Sequence, residues 1–353
     1  MRPAAEISRQ EAAAILFRLL KLDTLEKQEW VGSFADASDI AGWSREYVNA
    51  VVASGYFNGY PDGTFRPRRT IRRAETVTLL DKALGSLYNA PGTYGPAGGS
   101  HTIPGNATVN TAGVTLRNLV IEGDLFLAAG IGDGDFKADG VVVKGRTVIY
   151  GGGNRLIALD NSSLEDVLVC SGSGKTRIVA GGKTKIGLVT TERGGKLNGE
   201  EPAVDIELEG HFDSIIIESS ANVTITGNSS VKNMEVTAQA GKTNIKTSAN
   251  CIINALTLNA TARVTGKGRI TAAYVNTDHY DFETDPDILI VYGKEAKMKY
   301  VWPTRPIGPP GPTDPNVTIQ VVEYAKTKKM DFDVEVDCGT SWEEAIAALA
   351  KTV

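Results

Sequence analysis

From residue 118 to residue 275 the chain keeps returning to one pattern: a short apolar strand, a polar break and a second apolar strand. NLVIEGDLFL (118–127), GVVVKGRTVI (140–149), DSIIIESSANVTIT (213–226) and NALTLNATARVTG (254–266) are examples. Anchoring on the middle of each first strand gives Val120, Val142, Leu168, Leu188, Ile216, Glu235, Leu256 and Val275, at intervals of 22, 26, 20, 28, 19, 21 and 19. A period near 20 with variable loops is the pattern of a solenoid, whose coils bury their apolar faces only against their neighbours. Alternation such as Val-x-Val sends one set of side chains inward and Thr, Lys and Glu outward. Glycines and asparagines at the breaks suit corners. The expectation for 105–292 is a parallel β-helix. The structural alternative is a β-sandwich, whose strands recur at about 8–12 residues.

The N-terminal part follows a helical period instead. In 7–22, Ala12, Ile15, Leu16, Leu19 and Leu20 form an apolar stripe, and Ser8 with Glu11 makes a capping box. A second helix after Trp43, with Ser44 at its N-cap, carries Tyr47, Val48, Val51 and Val52 and ends at Gly55. A third, 73–85, is expected to bury Val77, Leu80 and Leu84. Between the last two lies ASGYFNGYPDGTFRPRRTIRRAE (53–75), where Pro61, Asp62 and Gly63 supply a tight turn.

Gly55, Gly59, Tyr60, Asp62, Gly63, Thr64, Phe65, Pro67, Arg73, Ala74 and Glu75, with Phe34 and Asp36 upstream, resemble the signature of the S-layer homology domain. In that family a G-Y-x-D-G-T-F loop precedes a helix opened by T-R-A-E. SRQE (8–11) resembles the T-R-A-E of an earlier repeat whose first half is absent, so one and a half repeats stand where the family usually has three. The resemblance implies non-covalent anchoring at a bacterial cell surface through a secondary cell-wall polysaccharide, pyruvylated in the family. The ketal carboxylate suits bidentate arginine. Carried over residue by residue, the polysaccharide-binding candidates are Arg73, Arg9, Asp62, Gly63, Trp43 and Glu75. Each also has a structural reading: Glu75 and Glu11 as first-turn acids, Trp43 and Phe65 as core aromatics, Gly59 and Gly63 as backbone requirements. Arg72 stands where the family has threonine, which removes the hydroxyl cap and with it the capping box, and Arg68, Arg69, Arg72 and Arg73 form a cationic cluster. Right-handed β-helices occur beside such repeats in Gram-positive surface proteins, and that handedness is what the resemblance implies here.

The expected organisation is multi-domain: 1–29, the C-terminal half of a truncated repeat; 30–88, a full α-helical repeat; 89–104, a Gly/Pro linker; 105–292, the all-β parallel β-helix. Then come 293–316, a proline-rich linker, and 317–353, a short α+β piece with strands at 317–325 and 331–337 and a helix at 341–352. A net charge of −5 over 353 residues gives no sign of nucleic-acid binding, and no apolar run is long enough to insert in a membrane. MRPAAEISRQEAAAILFRLL carries polar residues where an export signal would be apolar, so the chain is expected to be a fragment. Cys170, Cys251 and Cys338 imply neither a disulfide framework nor a metal motif.

No catalysis and no cofactor are expected. The acids of GIGDGDFKADG (130–140) read as turn formers, those of DHYDFETDPD (278–287) as a polar cap on the solenoid, and GSGKT (172–176) as a turn. The functional alternatives are a wall-anchored carbohydrate-active β-helix enzyme, which needs carboxylates converging on one face, and a self-associating S-layer subunit.

Overall fold

The computed structural model describes residues 6–22, 30–151, 157–170, 174–192 and 203–292, with backbone strands at Lys297–Val301 and Val334–Glu335. It divides into two compact units, 1–87 with 105–108, and 88–104 with 109–353.

The first unit is built on helices α1 (Arg9–Leu20), α2 (Arg45–Ala53) and α3 (Arg73–Leu84), with single 3-10 turns at Val31–Ser33, Ala37–Asp39 and Gly42–Ser44. α1 opens on the expected capping box: the Ser8 side chain and the Glu11 carboxylate each bond the other residue's backbone N–H. Its buried residues are Arg9, Ala12, Ala13, Ala14, Leu16 and Leu20, packed toward α2 and the 42–44 turn. Ile15 and Leu19, placed in the stripe from sequence, face outward. The same correction applies to α3, where Leu79 and Ala83 are buried while Val77 and Leu80 are exposed. Both alternatives fit a 3.6-residue period, so the choice falls to tertiary packing rather than to the helix itself. In α2, Val48 and Val51 are buried as expected; Ser44 occupies the N-cap, but its hydroxyl turns to Ala41 O and Gln10 Oε1 instead of capping. α3 ends at Gly85 (φ 59°), where a Cβ would lie 1.9 Å from Asn106 O. Asn106 Nδ2 donates to Ala83 O at 3.0 Å and Thr108 Oγ1 to Leu84 O at 2.7 Å, satisfying carbonyls that a helix end leaves unpaired.

The second unit is a parallel β-solenoid of about nine turns. Three columns of strands run along it, and each keeps strict register. One inward ladder is Leu127, Ile149, Val169, Thr191, Ile217, Val236, Leu258, Val275 and Val291. A second is Ile103, Ile121, Val143, Leu164, Ile186, Phe212, Val231, Ile253 and Ile270. The third column carries Val114, Phe136, Ile157, Ile178, Leu208 and Ile225. Every one of these side chains is buried except Val291, and together they are the core. Outward neighbours pair along the coils, as in Lys144–Glu122, Arg146–Asp166 and Arg177–Glu209.

The coil length is as read, but the sequence anchors slide between columns. Val120 does stand beside Val142, whereas Val142 stands beside Ser163, and Leu168 beside Thr190. Two columns with the same Val-x-Val alternation look identical in sequence, and the bend between them costs or gains a residue. Residues 89–104, read as a linker, contribute strands Gly92–Tyr94 and His101–Ile103, paired in parallel with 114–116 and 119–121. Their glycines and prolines fall at and around the corners of a short coil. At the other end, Lys297–Val301, inside the proline-rich stretch, pairs antiparallel with Ile288–Tyr292 and with Val334–Glu335. The strand expected at 317–325, the helix at 341–352 and Cys338 lie outside the described residues. Cys170 and Cys251 are buried thiols, not joined in a disulfide.

Candidate functional site: the arginine-rich loop and helix start

The loop that links α2 to α3 is held from three sides. Gly63 N–H donates to Tyr60 O at 2.9 Å and Tyr60 N–H to Thr64 O at 2.8 Å, closing the turn over Pro61 and Asp62, and Gly63 takes φ 77°. The Asp62 carboxylate accepts from the amide and hydroxyl of Thr64 and from Arg66. Those bonds hold its pKa at about 2, the Thr64 hydroxyl being the largest cause and Arg66 the next. From below, Asp36 accepts the amides of Phe65 and Arg66, both at 2.7 Å. The aspartate of the upstream F-x-D is thus the clamp that sets the loop.

Arg9 enters from the third side, 4% exposed. Its Nε donates to Phe65 O at 2.8 Å, Nη2 to Asn58 O at 2.9 Å and Nη1 to Glu75 Oε1 at 3.1 Å. The guanidinium carbon lies 4.6–4.9 Å from the ring centres of Phe57, Tyr60 and Phe65. Burial lowers its pKa, against the pull of Tyr60 and Glu75. Burial would push the Glu75 carboxyl up; the Tyr60 hydroxyl, the Arg72 amide and the charges of Arg9 and Arg69 hold it below its ordinary value. The Tyr60 hydroxyl, raised in pKa by burial and by its bond to Glu75, also accepts from Arg69 Nη1. Arg66 stacks over the same ring at 4.2 Å.

The structure therefore sorts the six candidates. Arg9 and Glu75 are joined in one internal network, and Asp62 and Gly63 shape one turn. Trp43 is 55% exposed on the 42–44 turn, so its reading as a core aromatic is corrected, while Phe65 is fully buried. Arg73, first residue of α3, is exposed and has no side-chain partner among the described residues. Half of the capping box thought lost with Arg72 survives, since Glu75 Oε2 accepts the Arg72 amide at 2.8 Å. The residues missed as interaction partners are Tyr60, Arg66 and Arg69. Tyr60 stood in the motif all along; nothing in the spacing distinguishes Arg66 and Arg69, which stack on it, from Arg68.

The S-layer homology domain matches residues 33–77. The chain is 40% identical over 84 residues to a cellulosome-anchoring protein of Acetivibrio thermocellus, covering 23% of this chain and 18% of that protein. It is 34% identical over 100 residues to cell surface glycoprotein 1 of the same organism, covering 26% and 4%. An amylopullulanase of Thermoanaerobacterium thermosulfurigenes is 33% identical over 81 residues, 22% and 4% of the two chains. The chain thus spans less than a fifth of each of these relatives. No solved structure matches it.

Proposed function

We propose that the first unit holds this chain non-covalently to secondary cell-wall polysaccharide at a bacterial surface, and that the solenoid is a non-catalytic spacer or binding surface. The observation that carries the reading is the S-layer homology domain at 33–77, shared with a protein named for cellulosome anchoring. The exposed groups suit an anionic glycan. Trp43 offers an open ring for sugar stacking, and Arg73 an uncommitted guanidinium for a carboxylate such as a pyruvate ketal. Arg9, Glu75, Asp62 and Gly63 act as positioning residues that keep the loop in shape. Relatives matched over the same region include enzymes, an amylopullulanase and an exoglucanase. On the solenoid, Asp281 and Asp287 are paired with Arg263 and Arg269 of the preceding coil, which favours a structural use of those acids.

The test is co-sedimentation of the chain with bacterial wall sacculi, before and after chemical removal of the secondary polymer. Binding is expected to disappear with the polymer. Arg73→Ala is expected to weaken it about tenfold, the scale of one charge-assisted contact, with helix content unchanged. Equal binding to stripped sacculi would sink the reading.

A further inference from the structure

Outward side chains over much of the solenoid engage one another as ion pairs, such as Lys144–Glu122, Lys232–Asp213 and Arg263–Asp281. One patch departs from this. On three successive coils the register places Asn233, Ala255 and Ala272 in one outward line and Glu235, Thr257 and Tyr274 in the next. Asn259 and Asn276 follow on the same edge, each one residue past the inward Leu258 and Val275. The patch holds no lysine or arginine, a single carboxylate and a single aromatic ring. Its alanines are half-buried and carry only a methyl group, which leaves a flank of the Tyr274 ring clear. Hydrogen bonds fix what the edge displays. The Glu235 carboxylate only accepts, and Oε1 takes Asn259 Nδ2 at 2.9 Å. That turns Asn259 Oδ1 toward the next coil, where it accepts Asn276 Nδ2 at 2.6 Å. The amide chain therefore ends in an open acceptor, Asn276 Oδ1. Beside it stand the second oxygen of Glu235 and the hydroxyls of Thr257 and Tyr274, none with a partner among the described residues.

We infer that this patch binds a neutral, unsubstituted β-1,4-linked glycan lying along the coil axis, with a sugar face against Tyr274 and hydroxyls on Asn276, Glu235 and Thr257. A pyranose ring is apolar on its face and carries hydroxyls, each both donor and acceptor, around its rim. An aromatic body beside fixed amide and carboxylate oxygens is the complement of that surface. The lack of lysine and arginine makes the patch a poor match for an anionic polymer, which separates it from the arginine-rich loop of the first unit. The register also sets the shape of the occupant. The lines run straight over three coils, so an extended chain follows them and a coiled one does not. Coils stack at about 4.8 Å, close to the length of one sugar in an extended chain. The two-alanine shelf beside Tyr274 suits a ring that carries hydroxyls only. This inference deepens the reading of the solenoid as a binding surface and rests on it. Sedimentation with sacculi tests the first unit and is read separately, so either can fail alone.

The probe is cellohexaose, an extended β-1,4-linked hexasaccharide, with maltohexaose, which its α-1,4 links coil, as the control. Titrated into the full-length chain, cellohexaose is expected to slow amide exchange across 252–258 and 269–275 about tenfold at levels near ten times Kd. Exchange across 119–127, on the same solenoid but far from the patch in coil order, is expected to stay as it was. Tyr274→Ala is expected to abolish the protection, and Asn276→Ala to weaken the affinity about fivefold, the scale of one neutral hydrogen bond. No slowing with cellohexaose up to its solubility overturns the inference. So does equal slowing with maltohexaose, or protection that survives Tyr274→Ala. If Tyr274→Ala lowers the melting temperature of the solenoid, the exposed Asn276→Ala variant decides, and an unchanged affinity there overturns the inference.

Discussion

The surroundings of the Arg9 guanidinium are set by long-range contacts rather than by its place at a helix start. The S-R-Q-E motif marks an arginine at a helix start, and exposure is the ordinary expectation for that residue type. Here it is the centre of a buried network, with three bonds to the 57–75 segment and three rings around it. Removing the guanidinium leaves the carbonyls of Phe65 and Asn58 without that donor, so Arg9→Ala is expected to cost the first unit about 1–3 kcal/mol. The urea midpoint of the helical signal reads this directly, and an unshifted midpoint would contradict it. Asp62 gives the complementary case on the surface. Its folded pKa of about 2 is below the ordinary 3.8, so its bonds contribute stability that is fully present above pH 3.8 and is lost as the pH falls toward 2. Asp62→Asn is expected to flatten the acid limb of first-unit unfolding in that window. It should leave the slope above pH 5 alone.

Corners decide the geometry of the solenoid, and their chemistry is visible at one edge. Asn118, Gly140, Asn161 and Gly182 follow one another on successive coils, all with φ between 50° and 65°. Each asparagine sends its side chain toward the next coil, where a Cβ on the glycine would lie 2.6 Å from its Oδ1. The alternation follows from that: asparagine tolerates the left-handed conformation, and glycine clears the space beside it. Gly140→Ala is therefore expected to destabilise the solenoid by about 1–2 kcal/mol. Gly98→Ala, where a Cβ meets nothing within 4 Å, is expected to be nearly neutral. Thermal unfolding of the two variants side by side checks the difference. At this scale much was legible in the sequence. The period near 20 and the Val-x-Val alternation identify coils and inward faces, because burial on one side of a strand leaves a two-residue trace. The column to which a strand belongs was not legible, since Val142 and Leu168 carry the same local pattern in different columns. The buried face of α3 was not legible either. Val77, Leu80 and Leu84 repeat as well as Leu79 and Ala83 do, and only the packing around Leu79 separates them.

At the scale of the whole chain, the two units draw on different kinds of contact. The first closes its core through a few long-range ties, such as Arg9 to Phe65 and Asn106 to Ala83. The second repeats one contact from coil to coil, so each coil's stability depends mainly on the coils directly above and below it. That dependence makes position along the solenoid matter more than residue type. Ile217 lies in the middle of an inward ladder, between Thr191 and Val236, while Ile270 ends its own ladder among the described residues. Both are buried isoleucines, and truncation of either to alanine removes the same side chain, at a cost of about 2–5 kcal/mol. The consequences should differ in reach. Ile217→Ala weakens two interfaces at once and is expected to raise amide exchange on both sides, through 185–191 and 231–236. Ile270→Ala loses a ladder partner on one side only, Ile253, and should be felt mainly in 252–258 and 269–275. Equal spread of exchange from both sites would mean that the solenoid unfolds as a single block, and that nearest-neighbour stacking is not what holds it.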